Sequence, residues 1–189
     1  MDYHALNDTI IKKVLAALAI INNPEIAPEV RQLNQEILFR EVGSAVYAKI
    51  YNMNAFDYEI EHTIGSGIDD RYYGLAKVAS ASVSAGALAL PLLVRNYLDT
   101  MASKAQQDAT HNARQSGKRT RVIRKLGPTE HTCEWCTGLA NNSPYEGDQI
   151  RPEIFGRHRG CDCEIYTEGY RSRNGLLDNY TKDKDGNRI

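Results

Sequence analysis

Cysteine is scarce in this chain and confined to one place. None precedes Cys133, and all four lie between Cys133 and Cys163. Met1–Asp8 has no basic segment leading into an apolar one, so no secretory signal is expected. Residence in a reducing cytoplasm follows as the expectation, and there thiols bind metal more often than they pair. Strongly apolar runs are also missing. The uncharged stretch Val78–Val94 has only 17 residues, with three serines, a glycine and a proline among them. A membrane span needs about 20 strongly apolar residues, so a buried helix packed through small side chains is expected instead. There is no internal repeat, low-complexity tract or nucleotide-binding loop. A hydrophobic content of 42% with 25% charged residues excludes gross disorder.

What is present is a pair of metal-ligand clusters, Cys133-Glu-Trp-Cys136 and His158-Arg-Gly-Cys161-Asp-Cys163. Thiolates and imidazole are the ligands zinc prefers, and two ligands three residues apart can both face inward across a tight turn. Five side chains, Cys133, Cys136, His158, Cys161 and Cys163, compete for four tetrahedral positions. Cys133 and Cys136 form one half. In an extended strand Cys161 and Cys163 point the same way, so both can reach one ion, or one of them stands aside for His158. Two disulfides, or four buried reduced thiols, are the alternatives. A catalytic zinc needs an open position and a nearby base. Glu134, Asp162 and Glu164 are close in sequence, but nothing marks any of them for that task. Neither the His-x-Glu and Pro-Cys-x-x-Cys pair of a deaminase nor the further histidine and asparagine of an HNH nuclease is present. A closed structural site is expected, with no catalytic residue assigned.

The fold class expected is mainly α, with a helical region at 1–117, a small α+β zinc-stapled module at 118–168 and a polar tail at 169–189. Ile10, Ile11, Val14, Leu15, Leu18 and Ile21 recur at helical spacing, with Asn7, Asp8 and Thr9 as cap candidates. Asn22-Asn23-Pro24 ends that run. Pro28 suits a first helical turn, and Val30, Leu33, Ile37, Leu38, Val42, Val46 and Ile50 outline a second apolar face, which Gly43 could kink. Tyr51–Asp70 reads as a loop with at most a short helix. Pro91 should kink or restart the next helix, and Ser116-Gly117 should end it. Arg119–Leu126 and Cys163–Thr167 read as strands whose pairing would bring the cysteine clusters together. The 24 residues between Cys136 and Cys161 contain Pro144, Gly147, Pro152 and Gly156, and read as a surface excursion.

Charge is uneven despite a net of -1: residues 1–109 carry 9 basic and 13 acidic side chains, and residues 110–189 carry 14 and 11. Lys118, Arg119, Arg121, Arg124 and Lys125 concentrate the positive charge. They are candidates to meet DNA phosphates or an acidic protein surface, a solvated strand being the plainer alternative.

The order of a helical region, a basic strand, Thr132-Cys133-Glu-Trp-Cys136, a variable loop, His158-Arg-Gly-Cys161-Asp-Cys163 and a strand resembles the minor head proteins of tailed phages, the Mu F-like or head-morphogenesis family. The match covers about residues 118–168. Glu130 and Arg159 stand where the family often has aspartate and proline. The resemblance implies a virion component of the head interior or portal region, made in the host cytoplasm, with a structural zinc. Its partners would be portal, major capsid or scaffold protein, packaged DNA, or further copies of itself. A phage-encoded nuclease or toxin-like enzyme, and a zinc-ribbon DNA-binding protein, are the competing functions.

Overall fold

A computed structural model describes residues 3–61, 72–86, 89–127, 133–158 and 163–169. Its helices are α1 (Tyr3–Ile21), α2 (Pro28–Tyr58), α3 (Tyr73–Ser84), α4 (Leu90–Gln115) and α5 (Glu134–Asn141). The strands are β1 (Thr120–Lys125), β2 (Tyr145–Glu146) and β3 (Glu164–Gly169), and short 3-10 turns occupy Gly147–Gln149 and Pro152–Phe155. The protein is therefore mainly helical, with a small antiparallel sheet of order β2-β1-β3 and a Cys/His cluster in its C-terminal part. Among the described residues no helix is long and apolar enough to cross a membrane.

The chain forms two compact units: the first takes the described residues within 3–49, 72–102 and 157–158, which hold α1, α2 as far as Lys49, α3 and α4 as far as Ala102, and the second takes the other described residues. In the first unit α1 buries Ile11, Val14 and Leu18, part of the periodic set. Its helix starts at Tyr3, so Asn7, Asp8 and Thr9 lie within it and are not caps. Asp8 instead meets Arg95 at 3.2 Å on the surface. The break at Asn22–Pro24 and the start of α2 at Pro28 agree with the expectation.

The face that α2 buries agrees with the apolar outline in its second half, at Val46 and Ile50, and differs from it in the first. Val30, Leu33 and Ile37 are 47%, 57% and 47% exposed, whereas Gln35, Phe39, Val46, Tyr47 and Ile50 are buried. Gln35 holds its place because its amide is satisfied on both sides. Its Nε2 donates to Asn22 Oδ1 at 2.6 Å, and its Oε1 accepts from the hydroxyls of Ser80 and Ser84 at 3.3 and 3.2 Å. A buried amide with these partners escapes the desolvation cost that otherwise keeps glutamine at the surface. Gly43 lies on the same face, inside a continuous helix. The Tyr97 ring packs there edge-on to Phe39, with centroids 5.0 Å apart, and its hydroxyl donates to the Phe39 carbonyl at 2.6 Å. A Cβ on Gly43 would run into the Tyr97 ring and hydroxyl. Burial also pushes the Tyr97 hydroxyl's pKa well above the ordinary tyrosine range.

The uncharged stretch 78–94 contributes to two helices. α3 ends at Ser84, Gly86 turns with φ +61°, and α4 starts at Leu90, so Pro91 sits in a first helical turn where its missing N–H costs nothing.

In the second unit, α2 continues to Tyr58 through the stretch that reads as a loop. Tyr51, Asn54, Ala55 and Tyr58 recur at three and four residues and are all buried, which is the reason the helix persists. It stops at Glu59, whose φ of +54° permits Ile60 N–H to donate to Ala55 O at 3.0 Å. Residues 62–71 lie outside the described set. α4 presents Ala105, Ala109, Thr110 and Ala113 as a buried face and ends at Gln115, with Gly117 at φ +70°, as expected. Thr110 Oγ1 lies 3.2 Å from Tyr58 Oη, and Gln106 Nε2 donates to Ile165 O at 2.8 Å.

The two strand expectations hold. β1 and β3 pair antiparallel from Thr120↔Gly169 to Lys125↔Glu164, and β2 adds Arg121↔Glu146 and Val122↔Tyr145. The segment between the cysteine clusters is largely exposed, as expected, but it is not only a surface excursion. It supplies Tyr145, Ile150, Ile154 and Phe155, which with Val122 and Ile165 form the module's apolar core, Leu139 packing against them. Gly147 and Pro152 mark the corners between these buried residues. The tail beyond residue 169 lies outside the described residues.

Two outcomes follow. Gly43→Ala gains about 1 kcal/mol of helix propensity but overpacks the Tyr97 ring at about 1–3 kcal/mol, so urea unfolding should show net destabilisation. Burial pushes the Tyr58 hydroxyl up to about 12. The folded state therefore holds that proton more tightly than the unfolded chain, whose value is about 10. The resulting stability is complete below about pH 10 and lost as pH rises through 12. The advantage of wild type over Tyr58→Phe in urea unfolding should thus shrink by about 2 kcal/mol between pH 9 and 12.

Candidate metal centre

The centre is assembled where α5 starts. Cys133 is its N-cap, in extended conformation (φ -75°, ψ 154°), and its Sγ accepts a hydrogen bond from Cys136 N–H at 3.3 Å. That bond lowers the Cys133 thiol's pKa below its ordinary value, against an opposing effect of desolvation. Three residues on, Cys136 lies in the first helical turn and is 1% exposed. His158, beyond the Pro152–Phe155 turn, completes a trio. The ligand atoms of Cys133, Cys136 and His158 all lie within 4.8 Å of one another, so the group could hold a metal ion. Cys163, just before β3, is buried and packs in one cluster with Cys136 and Cys133, but it is not a member of the converging trio. Cys161 lies outside the described residues. Cys133, Cys136 and Cys163 form no disulfide with one another.

Behind Cys136 lies a cation. Arg124 is 1% exposed, and its Nη1 donates to the carbonyl oxygens of Ile154 and Gly156, both at 2.8 Å. Nη2 reaches Cys136 Sγ at 3.5 Å. Trp135 covers the guanidinium, with Cζ 5.0 Å from its ring centroid. A Cβ on Gly156 would approach Trp135 to 2.9 Å and Glu153 O to 3.0 Å, so the turn passes under the indole only because residue 156 is glycine.

Arg124 must therefore be removed from the outward basic face. A side chain buried to this degree cannot meet a phosphate backbone. The two-residue strand period contains the missed signal: Thr120, Val122 and Arg124 share the inward face, while Arg121, Ile123 and Lys125 point outward. The outward charges are also matched. Arg121 pairs with Glu146 and Glu168, both at 3.4 Å, and Lys118 with Glu59 at 3.5 Å. Lys125 Nζ sits 5.1 Å from the Tyr166 ring centroid, and Tyr166 donates its hydroxyl to Glu164. Arg119 is exposed. Burial raises the Glu168 pKa, with Arg121 opposing.

Elemental analysis of protein purified under reducing conditions should give one equivalent of metal per chain. Cys133→Ser, Cys136→Ser and His158→Ala should each lower that occupancy. At a free metal concentration 100 times Kd, a chelator should remove about 2.7 kcal/mol of stability, measured by urea unfolding.

Comparisons of the chain with protein-family models, with curated proteins and with solved structures find no match.

Proposed function

We propose that the chain is an assembly component of a tailed-phage head or portal-connector region, whose C-terminal module is closed by a structural zinc ion. The convergence of Cys133, Cys136 and His158 carries this reading. Tetrahedral zinc with thiolate and imidazole ligands spaces its donor atoms about 3.3–3.8 Å apart, a spacing that fits within the 4.8 Å limit of the trio. Cys163 or Cys161 supplies the fourth ligand. A module whose core, among the described residues, is six buried apolar side chains and one partly buried leucine has little apolar area to offset chain entropy, and a metal makes up that deficit.

A staple fits the site better than a hydrolytic centre. Cys136 and Cys163 are enclosed, and Arg124 and Trp135 occupy the space behind the first of them. The phage assignment is supported by the order of the Thr132-Cys133-x-x-Cys136 and His158-x-x-Cys161-x-Cys163 motifs. Protein is favoured over DNA as the partner because Lys118 and Arg121 already face carboxylates and Arg124 is internal. Val30, Leu33 and Ile37 offer an exposed apolar stripe on α2 through which the helical part would dock on portal, capsid or scaffold protein.

The test is co-expression with the structural genes that neighbour its own, followed by sedimentation. The chain should travel with assembled heads and remain there in high salt. Leu33→Asp with Ile37→Asp should release it while leaving metal content unchanged. Recovery of wild type solely in the unassembled fraction rules out the head assignment.

A further inference from the structure

We propose that Arg124 is the positioning residue of the metal centre, fixing the Cys136 thiolate against the turn at residues 154–156. The inference rests on the metal reading above and adds a residue that belongs to neither ligand cluster.

Three separate chain segments meet at this guanidinium. It belongs to β1, and its Nη2 donates to Cys136 Sγ in the first turn of α5. Its Nη1 holds Ile154 O and Gly156 O, the carbonyls at the end of the turn that runs on to His158. One rigid planar group thus sets the distance from a thiolate ligand to the backbone of the turn at residues 154–156. Trp135, between the two cysteines in sequence, packs against the same guanidinium, its ring centroid 5.0 Å from Arg124 Cζ. Gly156 leaves the room that this packing requires.

The N–H···S bond also has an electronic effect. Two or three thiolates on a divalent ion leave the centre neutral or anionic, and a guanidinium beside one sulfur draws off part of that charge. Groups around a metal that orient and polarise its ligands in this way commonly change affinity 10–100-fold when removed. Lysine cannot replace it. An ammonium is a point charge on a flexible stem, without the fork that reaches two carbonyls and a sulfur together.

The experiment uses the full chain, with zinc affinity read by competition with a chromophoric chelator and with cobalt as a spectroscopic probe. Arg124→Lys and Arg124→Gln should each weaken zinc binding 10–100-fold. Their sulfur-to-cobalt charge-transfer band should move to lower energy, because a sulfur lone pair without its hydrogen bond lies higher. Wild type that binds one zinc, with both variants folded, within about twofold in affinity and unshifted in the band, overturns the role of Arg124 and leaves the metal reading standing. Wild type that binds no metal overturns the metal reading itself, before any variant is made. If the variants do not fold, wild type loaded with a spin-half cadmium isotope decides. A through-bond NMR correlation between cadmium and an Arg124 Nη proton supports the bond to the ligated sulfur, and its absence with cadmium bound overturns it.

Discussion

The C-terminal module depends on one buried guanidinium. Taking an arginine out of water is expensive unless its donors are satisfied by well-placed acceptors. Arg124 meets that condition at both terminal nitrogens, with two carbonyls and a sulfur, and sets its guanidinium against an aromatic face. The bonds explain why a segment with little regular structure, residues 150–156, holds a fixed course. Ile154 and Phe155 supply the apolar contact, but apolar contact has no direction. The two 2.8 Å bonds to Ile154 O and Gly156 O give it one.

The same physics organises the helical unit. Gln35 stands on the buried face of α2 because Asn22, Ser80 and Ser84 complete its hydrogen bonds, and Tyr97 because Phe39 O accepts its proton. In each case a polar side chain occupies a position that hydrophobic patterning gives to an aliphatic one. Each joins elements distant in sequence: Gln35 ties the end of α1 and two turns of α3 to α2, and Tyr97 ties α4 to α2. Such bonds cost stability when left half-made, so they select one packing among several of similar apolar area.

These positions are also where sequence reading fails. The helices α1, α3 and α4 and α2 as far as residue 50, the break at Asn22–Pro24, the β1–β3 pairing and the Cys133–Cys136 pair were legible because each rests on a local period or a local breaker. The first half of the α2 face was not. Val30, Leu33 and Ile37 satisfy the 3.6-residue period as well as the true face does, and only partners 13 to 49 residues away from Gln35 decide between them. The 137–160 segment misled for a related reason. Prolines and glycines there mark corners, and corners between short buried turns look like corners in an exposed loop. Arg124 is the instructive case, because the information was local. Strand alternation places it with Val122, and charge alone argued for the opposite face.

That alternation bears on function. A cluster of five basic residues within eight positions looks like a continuous electrostatic surface when written as a line. A strand sorts its residues onto two faces, and this one sends Arg124 inward to a thiol and Arg121 outward between two glutamates. Cross-strand opposition does the rest, setting Arg121 beside Glu168 and Lys125 beside Glu164 in the β1–β3 register. The outward face thus carries matched charges, and matched charges release few counterions on binding, which is the main source of affinity for nucleic acid. Under the proposed docking role, such a face would meet protein by shape, with polar pairs around an apolar centre such as Ile123 and Tyr166 setting register more than adding affinity.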